Sequence, residues 1–373
     1  MSLIHRAVTA LVSSALAVSL VATGEPAQAA AAPSSPGGHG ATWLAGQLNA
    51  QGLIHNPNFV PGGFDDYGLT IDTAFALKAI GGHKKDVATV RKALSKHVDS
   101  YTTGVDFGTT DVFAGAVAKL LVLTQQTGGG ARAFGGVNLV RRLDQRVIDS
   151  GPSKGRIQDV VDPTNPFGAD SANAIGQIFA VRGLMRAGRT DGAAALRFLL
   201  QQQCDSGFFR LNFTADKAAA DQACGKGDPA DTDVTALAVV ELASVAKGHR
   251  KLNDALGAAT RWLKRRENAN GSFGGSGPTS AANANSTGLA GWAFLTEGLC
   301  GAARDAAGWL SNRQLKGHLA GTPLAGERGA VGYDNATLRA AEKDGISKET
   351  RDRWRRATAQ AAPALLALTR CTP

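Results

Sequence analysis

The chain has 373 residues, of which 43% are hydrophobic, 19% are charged and only 6% are aromatic, and its formal net charge is +9. The basic residues are scattered along the chain. Nucleic-acid binding needs a basic face interleaved with aromatic side chains, so the sequence argues against a nucleic-acid partner. After the N-terminal segment no stretch is apolar enough to cross a membrane, and the charge predicts only a weak attraction to anionic surfaces.

The N-terminal segment has the pattern of a secretory signal peptide. Arg6 provides a positive start, residues 8–22 form an apolar run, and the Ala-Gln-Ala at 27–29 matches a signal-peptidase site. The run is short for a membrane span, and the first cysteine is Cys204, so no membrane or lipoprotein anchor is favoured. We therefore expect a secreted, extracellular protein. The predicted segments are a signal peptide at 1–29, a flexible leader at 30–40 and a folded domain at 41–373.

Two sequence patterns alternate along the rest of the chain. In the first, an aromatic-Leu pair is followed by a glycine nine positions after the aromatic residue, or eight in the last copy. The glycines are Gly52, Gly207, Gly271 and Gly317, after Trp43, Phe198, Trp262 and Trp309. In the second, a small or acidic residue opens a helix rich in Ala, Leu and Val. The openers are Asp72, Asp111, Ser171, Asp233, Ser286 and Asn335. Six openers predict a repeated two-helix unit.

The two patterns predict helices of different character. Thr235–Val245 and Asp111–Leu123 are apolar on nearly every side, which is typical of buried helices. Thr260–Glu267, which carries the aromatic-Leu pattern, is amphipathic. Their alternation predicts two concentric layers, and a closed ring of repeats accommodates a chain that is long for one compact core. A last helix at 348–368, interrupted at Pro363, would close the ring.

Four cysteines in an exported chain predict two disulfides, with three possible pairings. Cys204 with Cys224 is the most economical pair, because both flank one excursion between two helices. Cys300 with Cys371 would then tie the fifth unit to the C-terminal tail. A metal site is the alternative. The chain has no Cys-x-x-Cys, and no histidine lies three to five residues from a cysteine, which argues against zinc.

Two segments carry a resemblance to a known superfamily. Trp262–Phe273 reads aromatic-Leu-x7-Gly-x-Phe, and Asp231–Leu237 reads Asp-Thr-Asp-Val-Thr-Ala-Leu. Both resemble repeats of the terpenoid cyclase and protein prenyltransferase α/α toroids, and the likeness is sharpest over residues 194–298. The resemblance implies an all-α fold, an (α/α)6 toroid of six helix-hairpin repeats with a closing C-terminal helix. Its ligand site would lie at one end of the central cavity, beside the loops that lead into the inner helices.

Several members of this superfamily are enzymes, and their motifs are incomplete in this chain. A class II terpene cyclase donates a proton from an Asp-x-Asp-Asp cluster. Asp233 falls on the acid position, but Val234 replaces the last carboxylate, and Asp231 and Asp233 also suit helix caps. Prenyltransferases bind zinc through Asp, Cys and His, and the predicted disulfides leave no cysteine for it. The complement thioester motif is absent, since Cys224 is followed by Gly-Lys.

Carboxylates on the predicted rim leave a glycan-active enzyme open as an alternative, alongside a squalene/terpene cyclase-like enzyme. Two carboxylates at a suitable separation can act as acid and base on a glycosidic bond. The rim pairs are Asp65 with Asp66, Asp106 with Asp111, Asp162 with Asp170, and Asp231 with Asp233. Sugar-processing barrels usually carry tryptophans at this rim. The aromatic residues here are Tyr67, Tyr101, Phe107, Phe167 and Tyr333.

The favoured hypothesis is a secreted, non-catalytic ligand-binding toroid that serves uptake. In secretion, predicted disulfides, low aromatic content and lack of catalytic clusters, the chain is closest to the α-domain of the intrinsic factor and transcobalamin carriers. That resemblance implies a polar small-molecule ligand such as cobalamin, with no catalytic residue, metal or other cofactor. The candidate ligand-binding residues are Tyr67, Asp72, Asp111, Asn173, Asp233, Asn285 and Asn335.

The resemblance also predicts a partner. Those carriers cover their ligand with a small β-domain, and this sequence contains none. A separate small β-domain protein or a membrane uptake component is therefore the expected partner. An interaction protein of the cell envelope, with the loops at 125–137 and 267–285 as its contact surface, is a third hypothesis.

Overall fold

The computed structural model describes residues 32–58 and 60–371. Over these residues the regular secondary structure is almost entirely helical, and 53% of the residues are in helices. It has fifteen α-helices and one short antiparallel ribbon of β1 (His55–Asn56) and β2 (Phe64–Asp65). None of the described helices is long and apolar enough to cross a bilayer. The predicted signal peptide lies outside the described residues and remains a prediction.

Twelve of the helices form two concentric rings. The inner helices are α2 (Tyr67–Ile80), α5 (Ala114–Gln126), α7 (Ala174–Arg186), α9 (Thr232–Ala246), α11 (Ala284–Thr296) and α14 (Lys348–Ala361). Each contacts the next in this order, and α14 contacts α2, so the inner ring is closed. The outer helices are α1 (Pro36–Ala45), α3 (Lys84–Leu94), α6 (Leu139–Asp144), α8 (Thr190–Gln201), α10 (Arg250–Arg266) and α12 (Cys300–Ser311). This is the predicted (α/α)6 toroid.

The alternation of outer and inner helices fixes their direction. Because each inner helix returns from the outer helix before it, all six inner helices begin at the same end of the ring, which we call the mouth. Three short helices lie outside this scheme. They are α4 (Val98–Thr102), α13 (Asn335–Asp344) and α15 (Ala367–Arg370).

A recurring hydrogen bond ties each inner helix to the loop before it. In the fourth unit, Gly207 follows α8 with a φ of 107°, and two residues later the backbone N–H of Phe209 donates to the hydroxyl of Thr235 at 3.0 Å. Thr235 is fully buried near the start of α9, and its hydroxyl donates in turn to the carbonyl of Asp231. The hydroxyl therefore satisfies a loop N–H that would otherwise be buried without a partner.

The same arrangement recurs in four other units, and we call it the Gly–Thr clasp. The further donor and acceptor residues are Ile54 with Thr70, Ile157 with Gln177, Phe273 with Thr287, and Val331 with Thr358. Each donor lies two residues after a glycine with positive φ: Gly52, Gly155, Gly271 and Gly329. In α7 the side-chain oxygen of Gln177 takes the place of the threonine hydroxyl.

The clasp glycines also touch the next repeat. A Cβ on Gly207 would lie 2.6 Å from the carbonyl oxygen of Ala258 in α10, and a Cβ on Gly329 would lie 2.1 Å from that of His39 in α1. The last of these contacts joins the end of the chain to its beginning. Gly317, the fourth glycine of the sequence pattern, has a positive φ but makes no clasp, because no atom lies near its Cβ position, and Gly329 makes the contact in its place.

The sixth inner helix also differs from the prediction. The helix that begins at Asn335 is α13, and only Ala341 of its residues is buried. The sixth place in the ring is taken by α14, which the sequence predicts as the closing helix. It ends at Ala361, and a 3₁₀ turn over Ala364–Leu366 follows Pro363, so the predicted interruption at this proline is confirmed.

Part of the predicted N-terminal leader is helical, and the predicted disulfides are confirmed. Residues 36–40, which the sequence assigns to a flexible leader, form the first turns of α1, where Ser35 caps the helix and Gly37 and Gly40 are buried. Both disulfides pair as predicted, Cys204 with Cys224 and Cys300 with Cys371.

The clasp makes a prediction about two glycines with positive φ. Gly207→Ala should lower the free energy of unfolding by at least about 3 kcal/mol, because the methyl group meets the Ala258 carbonyl as well as an unfavourable backbone conformation. Gly188→Ala is the matched control: its φ is 66° and nothing lies near its Cβ position, so a loss of about 1 kcal/mol is expected. Urea unfolding of both variants is the measurement. Equal losses would contradict a contact between repeats at Gly207.

Candidate functional site

The clasp residues define which side chains face the interior of the ring. Two residues turn an α-helix by about 200°, so positions two before and two after a clasp residue point away from the loop and into the ring. The layer at the mouth then contains Ile175, Asp233, Asn285 and Arg356. The next layer, about 6 Å deeper at 1.5 Å per residue, contains Asp72, Phe179, Leu237, Leu289 and Gln360.

An aromatic contact fills the interior from the second layer downward. The rings of Phe75 on α2 and Phe179 on α7 stack with centroids 5.9 Å apart, although α2 and α7 are not neighbours in the ring. Both side chains are buried. Deeper still, Arg182 forms an ion pair with Glu241. The mouth is therefore a shallow site with a filled floor.

Asp233 is the acidic group with the most unusual environment at the mouth. Burial raises the pKa of its carboxyl to about 6, the charge of Asp231 adds to this, and a hydrogen bond from Ser286 opposes it. Its Oδ1 is buried and has no hydrogen-bond partner among the described residues. An acid with a pKa near neutrality and one oxygen unengaged can exchange a proton with a bound molecule.

Asp231 caps α9, a role that the sequence left open for both Asp231 and Asp233. Its Oδ1 accepts from the backbone N–H of Val234 at 2.9 Å, which makes it the N-cap of α9, and its Oδ2 accepts from the hydroxyl of Ser276. Both oxygens of Asp231 are thus occupied. Asp233 is consequently not the cap, and its carboxyl is available to the interior.

Two further buried oxygens lie on the helices that follow α9 in the ring. Oδ1 of Asn285 on α11 and Oε1 of Gln360 on α14 have no hydrogen-bond partner in the described part of the chain. Together with Asp233 they place three unsatisfied oxygens on three consecutive helices. Unsatisfied buried acceptors are costly, so this side of the mouth is suited to a ligand that donates hydrogen bonds.

The opposite side of the mouth is charged. Asp72 on α2, three places from α9 in the ring, forms an ion pair with Lys119 on α5 at 2.7 Å. Although burial opposes the charge on Lys119, the carboxylate of Asp72 raises the pKa of the ammonium group above its ordinary value. Burial also raises the pKa of the neighbouring Tyr101 to about 12. The site therefore combines a charged carboxylate with a carboxyl that is half protonated near pH 6.

The remaining predicted ligand residues have structural contacts. Asn173 caps α7, accepting from the N–H groups of Ile175 and Gly176. The hydroxyl of Tyr67 lies 3.2 Å from Nδ1 of His97, at the start of α2. Both residues are at the mouth end of their helices, so the structure brings them near the site.

Asp111 and Asn335 lie away from the interior. Asp111 precedes α5 and accepts from the N–H of Asp162, the hydroxyl of Thr109 and the side chain of Asn165, so it braces two loops, and these hydrogen bonds lower its pKa. Asn335 begins α13 and lines a surface depression with Trp309 and Arg313, outside the ring. The prediction that Asn335 opens an inner helix was wrong, because α13 takes no place in the inner ring, and its role as a ligand residue stays a prediction.

Most of the other rim carboxylates are also braces. Asp66 caps α2 and pairs with Arg356, and Asp162 accepts from the N–H and hydroxyl groups of Thr110 and Thr164. Asp170 pairs with Arg156 and Lys217. Asp233 differs from these in having an oxygen without a partner.

Two residues of the site were missed by the sequence analysis. Lys119 is the single charged residue of the apolar segment at 111–123 after its first position, and a lone charge in a buried helix is a detectable signal. Gln360 had no such signal, because it lies in a polar helix whose place in the ring depends on closure.

Comparison with solved structures supports the fold and includes enzymes. An unsaturated glucuronyl hydrolase from Bacillus, responsible for glycosaminoglycan degradation, has a TM-score of 0.57 at 12% identity, covering 90% of this chain and 96% of its own. The type II terpene cyclase MstE from Scytonema has a TM-score of 0.60 at 14% identity, covering 90% and 98%. An inactive variant of an α-1,6-mannanase from Salegentibacter, bound to α-1,6-mannotriose, has a TM-score of 0.58 at 13% identity, covering 89% and 99%.

These similarities show the fold alone, because the sequence identities are low. No protein-family model and no curated protein matches the chain significantly. The predicted likeness to the toroid superfamily is confirmed at the level of architecture, whereas the closeness to intrinsic factor has no support among these structures. The chain is an (α/α)6 toroid, a fold that it shares with the glucuronyl hydrolase, the terpene cyclase and the mannanase named above.

The raised pKa of Asp233 predicts the pH dependence of stability. The folded state retains a proton near pH 6 that an unfolded carboxyl, with its ordinary pKa of 3.8, has already released. The favourable contribution is therefore complete below pH 4 and is lost as the pH rises through 6. Asp233→Asn removes this titration, so the stability of the variant relative to wild type should increase by about 2–3 kcal/mol between pH 4 and pH 8.

Urea unfolding at both pH values measures this difference. Asp72→Asn is the control at neutral pH, where it should be destabilising because it leaves the ammonium group of Lys119 without its partner. A difference between Asp233→Asn and wild type that does not change with pH would contradict the raised pKa.

Proposed function

We propose that the chain is an enzyme that protonates a bound glycan with Asp233 at the mouth of the toroid. The observation that carries the proposal is the carboxyl of Asp233, with a pKa of about 6 and an Oδ1 without a partner. A general acid works best when its pKa lies near the working pH. We therefore propose a catalytic role for the mouth in place of the non-catalytic hypothesis.

A polyol substrate suits the surroundings of Asp233 better than a polyprenyl chain does. Asn285 and Gln360 offer buried oxygens that hydroxyl groups can satisfy, and Asp72 with Lys119 makes the facing wall charged. Leu237 and Leu289 give an apolar patch of the kind that sugar rings also contact. The stacked rings of Phe75 and Phe179 fill the depth that a long terpene chain would need.

In the proposed reaction Asp233 gives its proton to the leaving oxygen as the glycosidic C–O bond breaks. Water then adds to the sugar carbon, and its proton goes to a carboxylate. Asp72, which lies on α2 three places from α9 in the ring and is ion-paired with Lys119, is the residue we assign to that step. Two carboxyl groups on opposite sides of the substrate, with room for water, are the arrangement of an inverting glycosidase.

Turnover of oligosaccharides tests this proposal. With glycosaminoglycan and α-1,6-mannan oligosaccharides as probes, wild type should release new reducing ends, and kcat should fall as the pH rises above about 6. Asp233→Asn should lower kcat by about a hundredfold or more and leave equilibrium binding within a fewfold. Asp254→Asn, an exposed aspartate on α10, is the matched control.

The contradicting results are specific. Wild type that cleaves no probe, or an Asp233→Asn variant that retains full kcat, would remove Asp233 from catalysis.

A second candidate, binding without turnover, is favoured by the two amide oxygens, because they need a donor but no chemistry. Under this hypothesis the ligand is cobalamin or a similar polar molecule, covered by a separate small β-domain protein or held by a membrane uptake component. An absorbance titration with cyanocobalamin, weakened by Asn285→Ala with Gln360→Ala and unaffected by Asp233→Asn, would support it. Either activity would be extracellular, since the two disulfides and the signal-peptide pattern both fit an oxidising environment.

A further inference from the structure

A second cavity lies at the end of the ring opposite the mouth. It is a groove of about 800 Å³ between the hairpin of α7 and α8 and the hairpin of α9 and α10. The apolar side chains in it are Met185, Leu196, Leu200, Val245 and Leu252. Leu252 is fully buried and the others are partly exposed, so the groove has an apolar floor that reaches solvent.

The rim of this groove is basic. Its cations are Arg186, Arg189, Arg197, Arg250 and Lys251, with His249 beside them, and no Asp or Glu lines it. Arg189 forms an ion pair with Asp144. The other four cations form no ion pair with any residue that the structure describes, and all of them are exposed. Their charges therefore add to a positive potential around an apolar surface.

We propose that this groove binds a single-chain amphiphile with an anionic headgroup. The volume lies within the range of small-molecule sites, and an apolar floor with a few charged groups is their usual construction. An alkyl chain on Leu196, Leu200 and Val245 would leave water, while a carboxylate or phosphate headgroup would reach Arg197 and Arg250.

The site is separate from the mouth and does not depend on its chemistry. The groove uses the ends of α7 and α9, whereas Asp233 lies at the beginning of α9. Occupation of the groove would hold two consecutive hairpins together on the outer face, and no residue of the proposed catalytic set contributes to it.

Calorimetry with fatty acids below their micelle concentrations tests the proposal. Dodecanoate should bind one per chain, and each methylene added between eight and fourteen carbons should tighten the Kd by about fourfold. Dodecanol, which lacks the charge, should bind at least tenfold more weakly. Arg197→Glu with Arg250→Glu should weaken dodecanoate at least tenfold, and Leu196→Asp should abolish binding.

Two controls separate the groove from general effects of charge and from the mouth. Lys84→Glu with Lys85→Glu changes two exposed cations of α3 and gives the same net charge as the groove variant, so it should bind as wild type does. Asp233→Asn should also bind as wild type, whether or not it loses turnover.

Several results would overturn the proposal of an amphiphile site in the groove. Equal Kd values for dodecanol and dodecanoate would show that the basic rim plays no part in binding. Equal effects of the two double variants would show that the ligand does not bind in the groove. Binding only to vesicles of anionic phospholipid, or only to an acidic amphipathic peptide, with none to monomeric dodecanoate, would also overturn the proposal.

Discussion

The hydroxyl of a buried threonine sets the geometry of this toroid. In the fourth unit Thr235 accepts the N–H of Phe209 while Gly207, two residues earlier, packs on the next outer helix. The interaction fixes three things together: the path of the loop, the rotation of the inner helix about its axis, and the distance to the following repeat. Four of the six inner helices carry such a threonine, and in α7 the side-chain oxygen of Gln177 takes its place.

The rotation of the inner helices is what creates a site. Because each clasp residue faces outward, the residues two positions away face the interior of the ring. Asp233 and Asn285 occupy equivalent places before Thr235 and Thr287, so one structural interaction places one carboxyl and one amide side by side. The repeat therefore positions the site, and the residues at these interior positions determine its chemistry.

Much of this architecture was predictable from local patterns. The aromatic-Leu…Gly spacing correctly identified Gly52, Gly207 and Gly271, and the apolar character of the inner helices is visible in the sequence. The pattern failed in the loop that follows α12. Four glycines with positive φ occur between 317 and 329, and only the contact of Gly329 with His39, far away in sequence, selects the right one.

The site was also predictable only in part, because some of its residues depend on contacts between distant parts of the chain. Asp233 and Asn285 follow from the helix starts, whereas Gln360 depends on α14 rather than α13 taking the sixth place, which is a matter of ring closure. The opener pattern also could not tell a cap from an interior acid. Asp231 and Asp233 are two residues apart, and the difference between them is that both oxygens of Asp231 accept hydrogen bonds whereas Oδ1 of Asp233 accepts none among the described residues.

The central claim is that Asp233 holds a proton near neutral pH while facing the mouth. Carbon-detected NMR titration of the side-chain carboxyl groups, with the Asp233 resonance assigned by its loss in Asp233→Asn, measures this directly. The Asp233 carboxyl is expected to titrate with a midpoint near pH 6. A midpoint at or below pH 4 would show a solvated or paired carboxylate, and it would contradict the role given to Asp233.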